Sequence, residues 1–329
     1  MSAIETNGLT KRYGDLTAVS ELDLEISEGE VFGFLGPNGA GKSTTINMLL
    51  DFTRPTSGSA TVLGYDAQAE SDEISQRVGI LPEGFSVYER LTGRKHVEFA
   101  VETKGATDDP DALLERVGLS SEDGDRPAGD YSKGMRQRLA TGMALAGDPD
   151  LLIMDEPSTG LDPTGIREMQ ALVREEAERG TTIFFSSHIL EHVEAVCDRV
   201  GILRAGELVA LDTIEGLRES VGDGATMTVT ATGSIEGAVD AVAAIDGVED
   251  VTATGRRLEA VVERPSSKPL VVTTLANTGI ELTDLRIQET SLESMFTTLI
   301  EGADSSETAL AADAGDPADR GASKPEGNA

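Results

Sequence analysis

The sequence predicts an α/β fold: a mixed sheet core with a helical subdomain, followed by a small α+β domain. Three observations carry that expectation. An apolar run, Val31 to Leu35, meets a glycine-rich loop and then an amphipathic stretch from Thr45 to Leu50. Strand-like and helix-like patterns alternate from there to Arg204, which implies a largely parallel sheet. After Gly222 the texture shifts to a β-α-β-β-α-β order suited to a split β-α-β sandwich.

The chain opens with an antiparallel hairpin: Ala3-Ile4-Glu5-Thr6 begins it and Ala18 to Ile26 continues it, with Gly8 and Gly14 as punctuation. Between Val31–Leu35 and Thr45 lies Gly36-Pro37-Asn38-Gly39-Ala40-Gly41-Lys42-Ser43-Thr44, which reads G-x-x-x-x-G-K-S. Strand, glycine-rich loop and helix are the context that a phosphate-binding loop requires. The glycines let several backbone N–H groups converge on one point. Lys42 adds a positive charge, Ser43 a hydroxyl for Mg²⁺, and the helix start its positive dipole end. The expected ligand is a nucleoside triphosphate.

Short strands are expected at Ser59 to Leu63 and Val78 to Leu81, and helices from about Thr92 to Ala146 with loops at 105–111 and 121–130. Leu151-Leu152-Ile153-Met154 reads as a buried strand ending in Asp155-Glu156. Asp155 is placed to reach Mg²⁺ beside the phosphate loop, and Glu156 to orient or deprotonate the water attacking the γ-phosphate. A helix from Pro163 to Arg179, a strand from Thr181 to Phe185, another helix and a strand from Val200 to Arg204 close the unit. In the second unit, strands are expected at Met227–Thr230, Val248–Thr254, Leu258–Val262 and Leu282–Ile287, with helices at Ile235–Ile245 and Lys268–Ala276. The division is 1–221, with its helical subdomain at about 85–148, then 222–300 and an acidic, aperiodic tail at 301–329 expected to be disordered.

Acidic residues number 59 against 27 basic ones, a net charge of −32 that disfavours nucleic acid as a partner. Such a charge strains a fold by self-repulsion in dilute buffer, and in molar salt, where the Debye length is roughly 3 Å, most of it is screened. Adaptation to a salt-rich cytoplasm is the expectation. The single cysteine, Cys197, excludes an internal disulfide and lies among valines, as core filler. With neither a spanning apolar run nor a signal-like N-terminus, a cytoplasmic protein is expected.

Tyr131-Ser132-Lys133-Gly134-Met135-Arg136-Gln137-Arg138 before a helix, and Pro157-Ser158-Thr159-Gly160-Leu161-Asp162-Pro163 after the acidic pair, complete a recognisable set. Over about residues 4–215 the chain resembles the ATP-binding subunit of an ABC transporter, so its fold is expected to be of ABC type. That family's signature, L-S-G-G-Q, completes the nucleotide site of the opposite subunit; Ser132 and Gly134 match it, while Tyr131, Lys133 and Met135 depart. The resemblance also implies that Tyr13 stacks on adenine and that His188 touches the γ-phosphate. It implies that Asp162 couples the two sites across the dimer. Glu83 stands where a glutamine usually contacts Mg²⁺ or its water; glutamate keeps an oxygen ligand but adds charge. His96 and His192 lack such a context and are expected on helix surfaces.

Leu91 to Phe99, the C-terminal sandwich and Ser291-Leu292-Glu293-Ser294-Met295-Phe296 are similar to the multidrug and sodium-export (daunorubicin-resistance-like) class. The sandwich regulates, supports dimerisation or merely packs; the sequence gives no preference. The resemblance implies an ATP- and Mg²⁺-dependent hydrolase that closes as a homodimer, or with a similar ATPase subunit, and drives an integral membrane permease from the inner face of the membrane. The segment from Glu83 to about Phe99 is the expected contact. The alternative is a soluble ABC ATPase acting on a cytosolic or nucleoprotein target; the stretch between Lys42 and Ser132 lacks the sustained heptads that a DNA-directed member would carry.

Overall fold

The computed structural model describes residues 1–221, 225–289 and Phe296, the side chains of 218–221, 265 and 289 excepted. The 222 boundary, most of the 291–296 motif and the 301–329 tail therefore fall outside the described residues.

The chain begins with β1 (Ser2–Tyr13) and β2 (Leu16–Ser27), paired antiparallel as the alternation predicts. β3 (Val31–Leu35) is buried throughout and leads through the glycine-rich loop into α1 (Lys42–Leu49). β4 (Ser57–Val62) and the short β5 (Tyr65–Asp66) extend the hairpin into a sheet of order β2-β1-β4-β5. α2 (Ser71–Arg77) and β6 (Val78–Leu81) follow.

The helical stretch consists of α3 (Gly93–Lys104), α4 (Pro110–Arg116), α5 (Ser121–Gly124) and α6 (Lys133–Ala144). Each has a side-chain N-cap, from Thr92, Asp109, Ser120 and Ser132 respectively. Such caps satisfy backbone donors that a helix start leaves orphaned. α3 stops at Gly105, where φ is 63°, a turn that glycine makes without strain. Two segments expected as loops are thus partly helical, because their Asp and Ser residues serve as caps.

β7 (Leu151–Asp155), α7 (Pro163–Glu178), β8 (Thr182–Ser187), α8 (Leu190–Glu194), β9 (Arg199–Arg204), β10 (Glu207–Thr213) and α9 (Ile214–Val221) complete the first unit. The central sheet runs β10-β9-β3-β8-β7-β6, parallel except for the antiparallel edge β10, which sequence reasoning did not anticipate.

Alternation along the central strands divides the core. Phe32, Phe34 and Phe184 pack with α1 and the β1–β2–β4 layer; the Phe34 and Phe184 ring centroids lie 5.2 Å apart. Val31, Leu35, Leu152, Met154 and Phe185 face the helical stretch and α7. Phe296 joins this second cluster. Burial on both faces is why these strands read as continuous apolar runs.

The remaining elements are β11 (Ala225–Ala231), α10 (Val239–Ala243), β12 (Val248–Thr254), β13 (Arg257–Val262), α11 (Lys268–Asn277) and β14 (Leu282–Glu289). Their antiparallel sheet, in order β12-β13-β11-β14, packs against both helices around its own core of Met227, Val229, Leu258, Val271 and Leu275. α10 is shorter than the expected helix at 235–245, its first turn being a 3-10 turn at Glu236–Ala238.

Candidate functional site

Parallel register brings three strand ends together. Leu35 pairs with Ser187, and Asp155 with Ser186, so the loops after β3, β7 and β8 leave the sheet side by side. The carboxyl edge of a parallel sheet is where α/β proteins bind ligands.

The glycine-rich loop after β3 is held by close packing. A Cβ at Gly36 would run into the Leu203 carbonyl oxygen. One at Gly41, where φ is 112°, would lie 2.5 Å from the Ala18 carbonyl oxygen. Neither position accepts a side chain. The Lys42 ammonium folds back along the loop, donating to the Gly36 carbonyl at 2.6 Å and the Pro37 carbonyl at 3.3 Å.

Lys42 also lies 3.1 Å from Glu156 Oε1, with both side chains nearly buried. That contact is an ion pair without hydrogen-bond alignment, since Oε1 accepts no hydrogen bond. Oε2 faces His188 Nδ1 at 2.8 Å. Glu156 therefore stands between the Lys42 ammonium and an imidazole nitrogen of His188. Its backbone is left-handed, φ 49°, which costs a non-glycine residue strain of a kind that clusters at functional sites. Ser186 helps hold it: its carbonyl and Oγ both accept from the Glu156 N–H, while the Ser186 hydroxyl donates to Asp155 Oδ1. Sequence reasoning missed Ser186, though two hydroxyls at the end of a buried strand were the available signal.

Tyr13, Asn38, Gly39, Gly41, Lys42, Ser43, Thr44, Glu83 and Glu156 line one cavity of about 370 Å³, with Leu16 and Ala18. Tyr13 is half exposed at the mouth, with Lys11 Nζ 4.9 Å above its ring. Gly36, Pro37 and Ala40 complete the loop behind it. The cavity offers a half-exposed aromatic ring, a cation, the N–H groups of a glycine-rich loop and helix start, the buried Glu156 carboxylate and the exposed Glu83 carboxylate. That combination can hold a base, bind phosphates and activate water. The Ser43 hydroxyl and the Asp155 and Glu83 carboxylates are hard oxygen donors, suited to Mg²⁺. Among the described residues no group of three or more His, Cys, Asp or Glu could hold a metal, and Mg²⁺ shared with substrate phosphates needs only one or two carboxylates.

Ser132, Gly134 and Asp162 do not line this cavity. The Ser132 and Asp162 side chains cap α6 and α7, accepting from Met135 N at 3.2 Å and Gly165 N at 2.8 Å. Gly134 borders a different cleft, of about 380 Å³, with Arg138, Leu161 and Glu168.

Two expectations are corrected. His96 is buried, not on the surface: the Tyr88 N–H donates to Nε2 at 3.0 Å, which leaves Nδ1 to donate to the Thr92 carbonyl at 2.8 Å. It fastens the segment before α3 to that helix. His192 is half-buried, and its Nδ1 hydrogen-bonds Ser158 Oγ at 2.8 Å. Burial holds its pKa below the ordinary value. Cys197 is core filler as expected, and burial pushes its thiol far up.

Fold and site together define a nucleoside-triphosphatase of the phosphate-loop class. A sequence profile described as ABC transporter matches residues 19–159. The chain is 34% identical over 304 residues to the linearmycin resistance ATP-binding protein of Bacillus subtilis, covering 90% of this chain and 97% of that one. It is 35% identical over 303 residues to a daunorubicin resistance ATP-binding protein of Streptomyces coeruleorubidus, covering 90% and 95%. Among solved structures, an ATP-binding subunit of an ABC transporter superimposes with a TM-score of 0.60 at 28% identity, covering 66% of this chain and 92% of that one. The chain belongs to the ATP-binding subunits of ABC transporters, and it is an ATP hydrolase.

Proposed function

We propose that this chain is the engine of an exporter, closing as a dimer on ATP and driving a separate membrane subunit. The observation that carries the proposal is the division of the expected site residues. Lys42, Ser43, Glu83 and Glu156 share a cavity, with His188 on Glu156, whereas Ser132, Gly134 and Asp162 lie away from it. A site that needs both groups is completed by a second copy, or by a similar ATPase subunit. ATP then favours the closed dimer because it touches both faces, and hydrolysis removes the bridging γ-phosphate.

In this reading Tyr13 stacks on adenine and the N–H groups of Asn38, Gly39 and Gly41 to Thr44 cradle the phosphates, those of Gly36 and Ala40 being held within the loop's own structure. Lys42 exchanges Glu156 for phosphate oxygens, which frees the carboxylate. Glu156 then orients the water and takes its proton as the water attacks the γ-phosphorus and the bond to the ADP oxygen breaks. His188 contacts the γ-phosphate. Ser132 and Gly134 serve the partner's γ-phosphate from the start of α6, and Asp162 couples the two sites. Ser43, Asp155 and Glu83 are the residues to hold Mg²⁺, which neutralises developing phosphate charge when bound.

The membrane subunit is assigned to an apolar groove of about 460 Å³ lined by Leu50, Phe52, Ile80, Phe85, Phe99 and Met143. Phe52 and Phe99 are 68% and 60% exposed, an expensive arrangement for a surface that stays in water. Phe85 and Phe99 bring two residues of the 83–99 segment expected to make this contact into the groove. No described helix is long and apolar enough to cross a membrane, so the transport path is assigned to that other chain. The chain would then sit on the inner face of the membrane through this partner. The division at 1–221 and 222–300 rests on the separate core around Met227 and Leu258. The acidic composition is read as adaptation to high salt.

Two experiments test this. Glu156→Gln is expected to lower ATP turnover about 10²-fold or more while ATP binding persists; turnover at the wild-type rate removes Glu156 from its role. A mild-detergent pull-down from native membranes in molar KCl is expected to recover one polytopic protein in roughly equal amount. Recovery of soluble proteins alone would favour a cytosolic ABC ATPase.

A further inference from the structure

We propose that His192 is a positioning residue for hydrolysis: through Ser158 it fixes the segment from Glu156 to Asp162 against the turn that carries His188. The inference rests on the role proposed for Glu156 and extends it to a residue with no expected part in the site.

The geometry is a two-point clamp. His188 directly follows β8, and His192 lies about one turn further on, in α8. His188 Nδ1 meets Glu156 Oε2 at 2.8 Å, and His192 Nδ1 meets Ser158 Oγ at 2.8 Å. The two imidazoles thus grip the segment after β7 at alternate residues. Ser158 is 4% exposed, so its hydroxyl has little access to water, and loss of the imidazole leaves it without this partner.

The gripped segment is the part of the site that most needs holding. Glu156 sits at φ 49°, a conformation that persists only where its surroundings impose it. Its N–H is anchored by Ser186 on one side, and the Ser158 bond anchors the chain two residues on. Downstream, the Thr159 N–H donates to the Glu156 carbonyl at 3.1 Å and the Leu161 N–H to the Ser158 carbonyl at 3.2 Å. Those turns carry the fixed position on to Asp162 at the start of α7. His192 is therefore connected to the base that handles water and to the residue proposed to couple the two sites. It does not line the nucleotide cavity, so its removal acts on the chemical step and not on ATP binding.

The test is steady-state ATPase kinetics on the full chain with His192→Leu, His192→Asn, Ser158→Ala and the His192→Leu/Ser158→Ala double variant. Glu156→Gln and thermal unfolding are run alongside. Leu fills the space without a polar atom, whereas Asn keeps a hydrogen-bonding atom near the Nδ1 position. The expected result is a kcat about tenfold lower for His192→Leu with KM for ATP within about twofold. His192→Asn recovers most of kcat, and the double variant is no worse than the poorer single one. A wild-type kcat for His192→Leu overturns the inference. So does equal loss in the Leu and Asn variants, which marks packing, or additive loss in the double variant. If Glu156→Gln stays active, the reading of the site fails instead, and the Leu-against-Asn comparison still reports on the clamp. Should His192→Leu not fold, Ser158→Ala and His192→Asn decide the question by the same split of kcat from KM.

Discussion

At the scale of single residues, the phosphate loop is defined by what cannot be added to it. Gly41 combines a φ of 112° with a backbone oxygen 2.5 Å from any added Cβ, so Gly41→Ala must move the loop or the Ala18 strand. We expect ATP affinity to fall about tenfold or more, equivalent to roughly 1.4 kcal/mol, measured by titration with a fluorescent nucleotide. His192 supplies a pH prediction. Burial lowers its pKa below its ordinary 6.5, so folding releases protons. Its contribution to stability is full above 6.5 and is lost as pH falls through the folded value. The Tm difference between wild type and His192→Asn, in fixed molar KCl, should therefore shift against the wild type between pH 7.5 and 5.5.

At the scale of elements, ion pairs tie the helical stretch to α7. Arg116 of α4 reaches Glu176 of α7 through two nitrogens, Nε donating to Oε1 at 2.8 Å, and also meets Asp148 at 3.1 Å. Arg138 of α6 pairs with Glu168 of α7. The two pairs differ in burial: Glu176 is wholly buried, whereas Glu168 is half exposed. Removing Arg116 leaves the buried Glu176 carboxylate with Arg179 at 3.9 Å and neither of its close hydrogen bonds, so Arg116→Met should destabilise by about 3 kcal/mol. Arg116→Met/Glu176→Leu should recover most of that, both measured by chemical denaturation. Arg138→Met, at a more exposed pair, should cost about 0–1 kcal/mol.

At the scale of the whole molecule, a net charge of −32 on a chain with only seven lysines places repulsion everywhere on the surface. Screening should favour the compact state, so the Tm is expected to rise between 0.05 M and 2 M KCl. A flat or falling Tm would dismiss the salt adaptation. The same scale holds the separation of Ser132 from the phosphate-loop cavity, which the proposed dimer would close.

The sequence alone determined the parts whose physics is local. Gly36 to Thr44 carries its own turn, charge and helix start, so the phosphate loop was legible at once. The continuous apolar runs of β3 and β7 marked strands buried on both faces, and Asp155-Glu156 at a strand end marked the candidate site. β10 was not legible: its sequence has no strong alternation, and pairing with β9 makes it a strand. His96 and His192 resembled surface residues because nothing within a helical turn shows what packs above them. Only the tertiary structure, by folding the segment before α3 over His96 and setting Ser158 beside His192 across 34 residues of chain, decided where those rings lie. Local propensity acts through neighbours in sequence, whereas burial and long-range hydrogen bonds exist only once the sheet has set its strand order.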